Sequence, residues 1–91
     1  MIHIEKQVIE QVKKKDGFKT RNSNQFNRLT EREVEVLQLL ADGLNNPGIA
    51  KKLSITRSTV ETHRKNLKKK LKSTSYSKLV KYALAFDLIR Y

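Results

Sequence analysis

Residues 56–72, TRSTVETHRKNLKKKLK, constrain this chain more than any other stretch. Val60, Leu67 and Leu71 recur at helical spacing, with His63 and Arg64 in the turn between them, so the segment reads as a helix with one apolar stripe. The rest of its surface carries Arg57, Arg64, Lys65, Lys68, Lys69, Lys70 and Lys72. Thr56 suits an N-cap, because its hydroxyl can accept from an N–H of the first turn. A helix of this kind can bury one side in a small core and offer its opening turns and basic flank to the major groove of DNA. A solvated basic face has the same composition, so the flanking residues decide between the two.

Upstream, Thr30-x-x-Glu33 is a capping box, and Leu29 with Val34 forms the hydrophobic staple around it. The helix they start runs through Val34, Leu37, Leu40 and Ala41 to a left-handed stop at Gly43, with Leu44 folding back on the last turn. In Asn45-Asn46-Pro47, Asn46 is read as the next N-cap and Pro47 as the first helical residue. Gly48 weakens that helix by up to about 1 kcal/mol against Ala. Ile49, Ala50 and Leu53 face inward, and the helix ends near Ser54, before a buried Ile55. Two helices joined by a turn of three or four residues make a helix-turn-helix. Ala50 is small where they cross, Ser54 stands at the turn, and Val60 is the buried residue of the second helix. After residues 73–75, Ser75 or Ser77 caps a last helix with Leu79, Val80, Ala83, Leu84 and Phe86, ending near 87–89.

The first 28 residues are different in character. Ile4, Val8, Ile9 and Val12 predict a short amphipathic helix over 1–15, with Gly17 as its stop. Residues 18–28, FKTRNSNQFNR, show no periodicity and read as a linker or basic arm in which only Phe18 and Phe26 would bury. The chain therefore divides into an N-terminal helix and linker at 1–28 and an all-α, four-helix domain at 29–91. A formal net charge of +11 on 91 residues asks for a polyanionic partner. No apolar run is long enough to span a bilayer and no secretory signal opens the chain, so a cytoplasmic location is expected. Cysteine is absent, and His3 and His63 complete no metal site, so no metal or cofactor is expected. No Gly-rich phosphate loop, carboxylate cluster or nucleophile–base pair points to an enzyme.

Residues 29–89 resemble a LuxR-type (GerE/NarL-like) helix-turn-helix domain. The resemblance is carried by LTEREVEVLQLLADGL (29–44), IAKKLSI (49–55), STVETHRKNLKKKL (58–71) and YALAFDLI (82–89). It implies a four-helix, dimeric binder of double-stranded DNA that regulates transcription, with residues 56–72 as the recognition helix and RNA polymerase as a further candidate partner. Two other readings of the same residues are a module resembling sigma region 4, which binds DNA only within a polymerase assembly, and a non-catalytic module whose basic face meets an acidic protein.

Transferred position by position, the resemblance places Glu61, Thr62 and Lys65 at base edges. It places Asn45, Asn46, Arg57, Ser58, Thr59, Arg64 and Lys69 at phosphates. Lys68 and Lys70 are as readily solvated as in contact, and Thr59 is equally well a structural hydroxyl of the first turn. Glu61 stands where the family often has a basic residue. It could accept from cytosine N4, or pair with Arg57 or Lys65 and read nothing. Pro47-Gly48 replaces the family's polar-Glu start of that helix, and Lys72 and Asp87 stand where glycine is common, so both helix ends are expected to close differently. On the last helix, Leu79, Ala83 and Phe86 suffice to cover a three-helix core. Val80, Tyr82 and Leu84 are then left as exposed apolar surface, and they are the expected seam of a homodimer that forms on palindromic DNA.

Overall fold

The structure is a computed structural model that describes residues 17–89. The amphipathic helix expected over 1–15 lies outside the described residues. The described residues form five helices: α1 (Phe18–Asn27), α2 (Glu31–Ala41), α3 (Asn46–Leu53), α4 (Arg57–Leu71) and α5 (Tyr76–Ala85). Helices α1, α2 and α3 pack against α4, whose Val60, Leu67 and Leu71 are essentially inaccessible to water, and α5 closes the core against α1 and α2. They meet Val36, Leu37, Leu40, Ile49 and Leu79 in one core.

The local signals hold where the sequence is explicit. Thr30 and Glu33 form the reciprocal capping box, with Glu33 N–H donating to Thr30 Oγ1 at 3.1 Å and Thr30 N–H to Glu33 Oε1 at 2.9 Å. Gly43 takes φ 94°, and Leu44 N–H returns to the Leu39 carbonyl at 3.0 Å. Ser75, of the two serines considered, caps α5. Asn45, not Asn46, caps α3: its Oδ1 accepts from Gly48 N–H at 3.0 Å, which puts Pro47 one place further into the first turn.

Three other helix ends repeat the Gly43 closure without glycine. Ser54, Lys72 and Asp87 all have φ between 55° and 60°. In each case the following amide returns across the last turn: Ile55 to Ala50, Ser73 to Lys68, Leu88 to Ala83. Lys72 and Asp87 therefore do not make their helices end differently. They adopt the left-handed geometry themselves, against a backbone preference of about 1–2 kcal/mol.

The linker reading of 18–28 is corrected by α1. Phe18 is buried and meets Tyr82 edge-on at 4.9 Å, and Phe26 stacks on Phe86 at 3.9 Å. Tyr82 O–H donates to Asn22 Oδ1 at 2.9 Å. This polar decapeptide is helical because α4 and α5 give its two aromatics a seat; its own sequence offers little helix propensity.

The same contacts correct the dimer seam. Tyr82 has no exposed surface, and Val80 and Leu84 retain 6% and 3%. Tyr82 lies beneath α1, while Val80 and Leu84 close a second small cluster with Ala41, Ala83 and Ile89. Counting three helices as the core underestimated what α5 must cover: it packs against α1 on one side and the end of α2 on another. All three residues belong to the interior of a single copy.

Candidate nucleic-acid interface

With Val60, Leu67 and Leu71 turned inward, the 100° step of a helix points Ser58, Thr62, Lys65 and Lys69 directly outward. Their spacings of four, three and four keep them on one ridge about 16 Å long. All four are exposed, as are Arg57 and Glu61 beside them. The structure thus brings the three expected base-edge residues, Glu61, Thr62 and Lys65, to one side of α4, opposite the core.

The opening turn of α4 is prepared for an anion. Thr56 Oγ1 accepts from Thr59 N–H at 3.1 Å and lies 2.8 Å from the Thr59 hydroxyl. The amides of Arg57 and Ser58 precede the first intrahelical bond, which Val60 N–H makes to the Thr56 carbonyl, so they point out of the helix's positive end. Thr59 itself is half-buried and engaged within the turn, which is the structural alternative considered for it. Thr62 donates its hydroxyl proton to the Ser58 carbonyl at 3.1 Å. That leaves Thr62 an acceptor lone pair and a methyl group, the equipment to accept from a base amino group or pack on a thymine methyl.

The start of α3 joins the same surface. Arg64, half-buried on the flank of α4, donates from its guanidinium to Asn46 Oδ1 and so fixes the opening of α3 against α4. Asn45 Oδ1 is spent on its cap, so the amide donors of both asparagines and the remaining N–H groups of Arg64 are what this corner can present. Glu61 forms no ion pair among the described residues, with Arg57, Lys65 or any other cation. It lines a shallow groove with Asn46, Arg64, Lys65 and Lys68.

The lysines left open by the sequence separate cleanly. Lys70 crosses to α2 and donates to Glu33 Oε1 at 2.7 Å. Burial by itself raises the Glu33 carboxyl, but the hydrogen bonds from Lys70 and Thr30 and the charge of Lys70 outweigh it and hold the group below its usual range. Lys70 is therefore a structural cation. Lys68 stays on the outer flank and lines a second groove with Lys65, Lys69, Lys72, Ser73 and Thr74. The sequence reading gave Lys72, Ser73 and Thr74 no role. The run LKKKLKST was the signal, but it does not say which lysine turns inward.

Comparison with known proteins agrees with this geometry. The family model for bacterial regulatory proteins of the luxR family matches residues 27–83. Similar curated proteins include an uncharacterized response regulatory protein, YgeK, of Escherichia coli K12, which is 55% identical over 64% of this chain and 40% of its own length. The transcriptional regulatory protein MctR of Rhizobium johnstonii is 49% identical over 67% of this chain and 28% of its own. The oxygen regulatory protein NreC of Staphylococcus epidermidis is 40% identical over 77% of this chain and 32% of its own. The chain thus spans less than half the length of these relatives. The family match covers α2, α3, α4 and most of α5, and on it and the helix-turn-helix described above, the chain belongs to the luxR family of bacterial regulatory proteins.

Proposed function

We propose that this chain is a sequence-specific DNA-binding unit of a transcription regulator and that it places α4 in the major groove. The observation that carries the reading is the ridge Ser58–Thr62–Lys65–Lys69, exposed opposite the core helix face and flanked by cations that, among the described residues, no carboxylate neutralises. In this reading Glu61, Thr62 and Lys65 meet base edges. Arg57, Ser58, Arg64 and Lys69, with Asn45, Asn46 and the first-turn amides near Thr59, meet phosphates. The similarity to MctR, a transcriptional regulatory protein, supports the biological setting. Such a unit works in the cytoplasm, where it meets RNA polymerase, and no described helix is long and apolar enough to cross a membrane.

A ridge of about 16 Å reads only one half-site, so two copies on a palindrome, with recognition helices about 34 Å apart, complete the recognition. Val80, Tyr82 and Leu84 are interior, so any seam between copies uses other residues. The test is titration of the chain against random and selected duplexes over a range of salt. If about six phosphates are neutralised, log affinity falls against log salt with a slope near −5. Lys65→Ala costs about 1–3 kcal/mol and relaxes preference at one base pair, whereas Lys69→Ala weakens all sequences alike. A flat salt response removes the DNA reading, and one copy per palindrome at saturation removes the pairing.

A further inference from the structure

We propose that the groove at the C-terminal end of α4, lined by Lys65, Lys68, Lys69, Lys72, Ser73 and Thr74, is a second phosphodiester site that grips one DNA strand alongside the end of the base-facing ridge, with which it shares Lys65 and Lys69. The inference rests on the DNA-binding reading and adds a site at the opposite end of the recognition helix from its anion-ready first turn.

Four ammonium groups lie within two turns, about 10 Å along the helix. Among the described residues none of them meets a carboxylate, in contrast to Lys70 on the other flank, which Glu33 neutralises. Unpaired like charges at this spacing repel one another, and a polyanion laid along them relieves the repulsion and releases its counterions. The end of the groove adds neutral donors. Ser73 Oγ accepts from Ser75 N–H at 3.2 Å, which leaves its own proton to give, and the exposed Thr74 hydroxyl makes no hydrogen bond among the described residues. Helix α5 starts two residues later, and its first amides, at Tyr76 and Ser77, precede the earliest intrahelical bond, from Leu79 N–H to the Ser75 carbonyl.

Continuity with the proposed DNA-binding face favours a nucleic-acid strand over an acidic protein. The groove shares Lys65 and Lys68 with the groove formed by Asn46, Glu61 and Arg64, so the two make one track along the flank of α4. A strand following that track passes the start of α3, then Lys68, then Lys72.

Lys72 makes the test clean. Its φ of 55° is a conformation glycine adopts more easily, so Lys72→Gly deletes the charge without straining the fold. The full chain is titrated by fluorescence anisotropy against a random-sequence 20-bp duplex between about 50 and 200 mM salt. The variants are Lys72→Gly, Lys68→Ala and, as a control for net charge, Lys19→Gln. Lys19 sits over Phe86, at the far end of α5 from Lys72. Lys72→Gly and Lys68→Ala should each make the salt slope shallower by about 0.9, so the parent-to-variant affinity ratio falls about 3.5-fold across that range. Lys19→Gln should leave the slope unchanged, and Lys72→Gly should melt no lower than the parent. A steep parental slope that neither groove variant alters overturns the site while leaving the DNA reading intact. Equal changes in all three variants overturn it in favour of non-specific charge. A parent with no salt-dependent binding overturns both.

Discussion

Lys70→Met isolates the ion pair that joins α2 to α4. The Glu33 side chain is 4% exposed and that of Lys70 29%, with their atoms 2.7 Å apart. Methionine keeps most of the aliphatic stem and removes the charge, so among the described residues the buried carboxylate is left with Thr30 as its hydrogen-bond partner. Removing one member of a fully buried pair costs about 3–5 kcal/mol, and the partial exposure of Lys70 brings the expectation to about 2–3 kcal/mol near neutral pH. With a urea slope of about 1 kcal/mol/M for a chain of this size, the midpoint should drop by about 2–3 M, followed by circular dichroism.

The pH dependence makes the test sharper. In the parent the folded Glu33 carboxyl lies below its ordinary value, so its contribution is present above the unfolded pKa and is lost as pH falls through the folded one. In Lys70→Met only the Thr30 bonds oppose burial, so the carboxyl should rise from its parental value. The variant then loses less than the parent as pH falls. The gap between parent and variant should be widest near pH 7 and close below about pH 4. A cost under about 0.5 kcal/mol, or a gap that does not change between pH 7 and 3, would refute the assignment of this pair as a structural tie.

Three other perturbations follow from the same contacts. Tyr82→Glu should unfold the domain, costing about 3–5 kcal/mol, because it buries a carboxylate where Phe18 and Asn22 now pack; a folded Tyr82→Glu chain by circular dichroism would show that α1 does not seal this position. Burial raises the phenols of both Tyr82 and Tyr76, the latter also through the charge of Asp42. Their stabilisation is therefore complete below the unfolded tyrosine pKa and lost as pH rises through the folded values. Tyrosinate absorbance should lag behind a model peptide until the fold melts in alkali. Glu61→Gln should tighten binding to every duplex by removing a carboxylate that no cation neutralises among the described residues, beside the proposed phosphate track; selection from randomised half-sites that shows a new base preference instead would assign Glu61 to cytosine.

The sequence by itself determined the helix-turn-helix. Thr30 with Glu33, Gly43 and Thr56 are signals that act within one turn of where they stand, through caps and left-handed stops whose partners are three to five residues away. The stripe Val60–Leu67–Leu71 then fixes which face of α4 is buried and, by subtraction, that Ser58, Thr62, Lys65 and Lys69 face out. What only the tertiary structure decided depends on partners far along the chain. Phe18-Lys-Thr-Arg-Asn-Ser-Asn-Gln-Phe26 has no helical period and poor helix formers, and becomes α1 because Tyr82 and Phe86, some sixty residues away, accept its two rings. Once α1 is seated, Tyr82 ceases to be surface. Likewise Lys68, Lys69 and Lys70 are three adjacent and chemically identical residues. Glu33, thirty-seven positions upstream, turns Lys70 toward α2, and the rotation of α4 that this contact shares with the core leaves the other two on the outer flank.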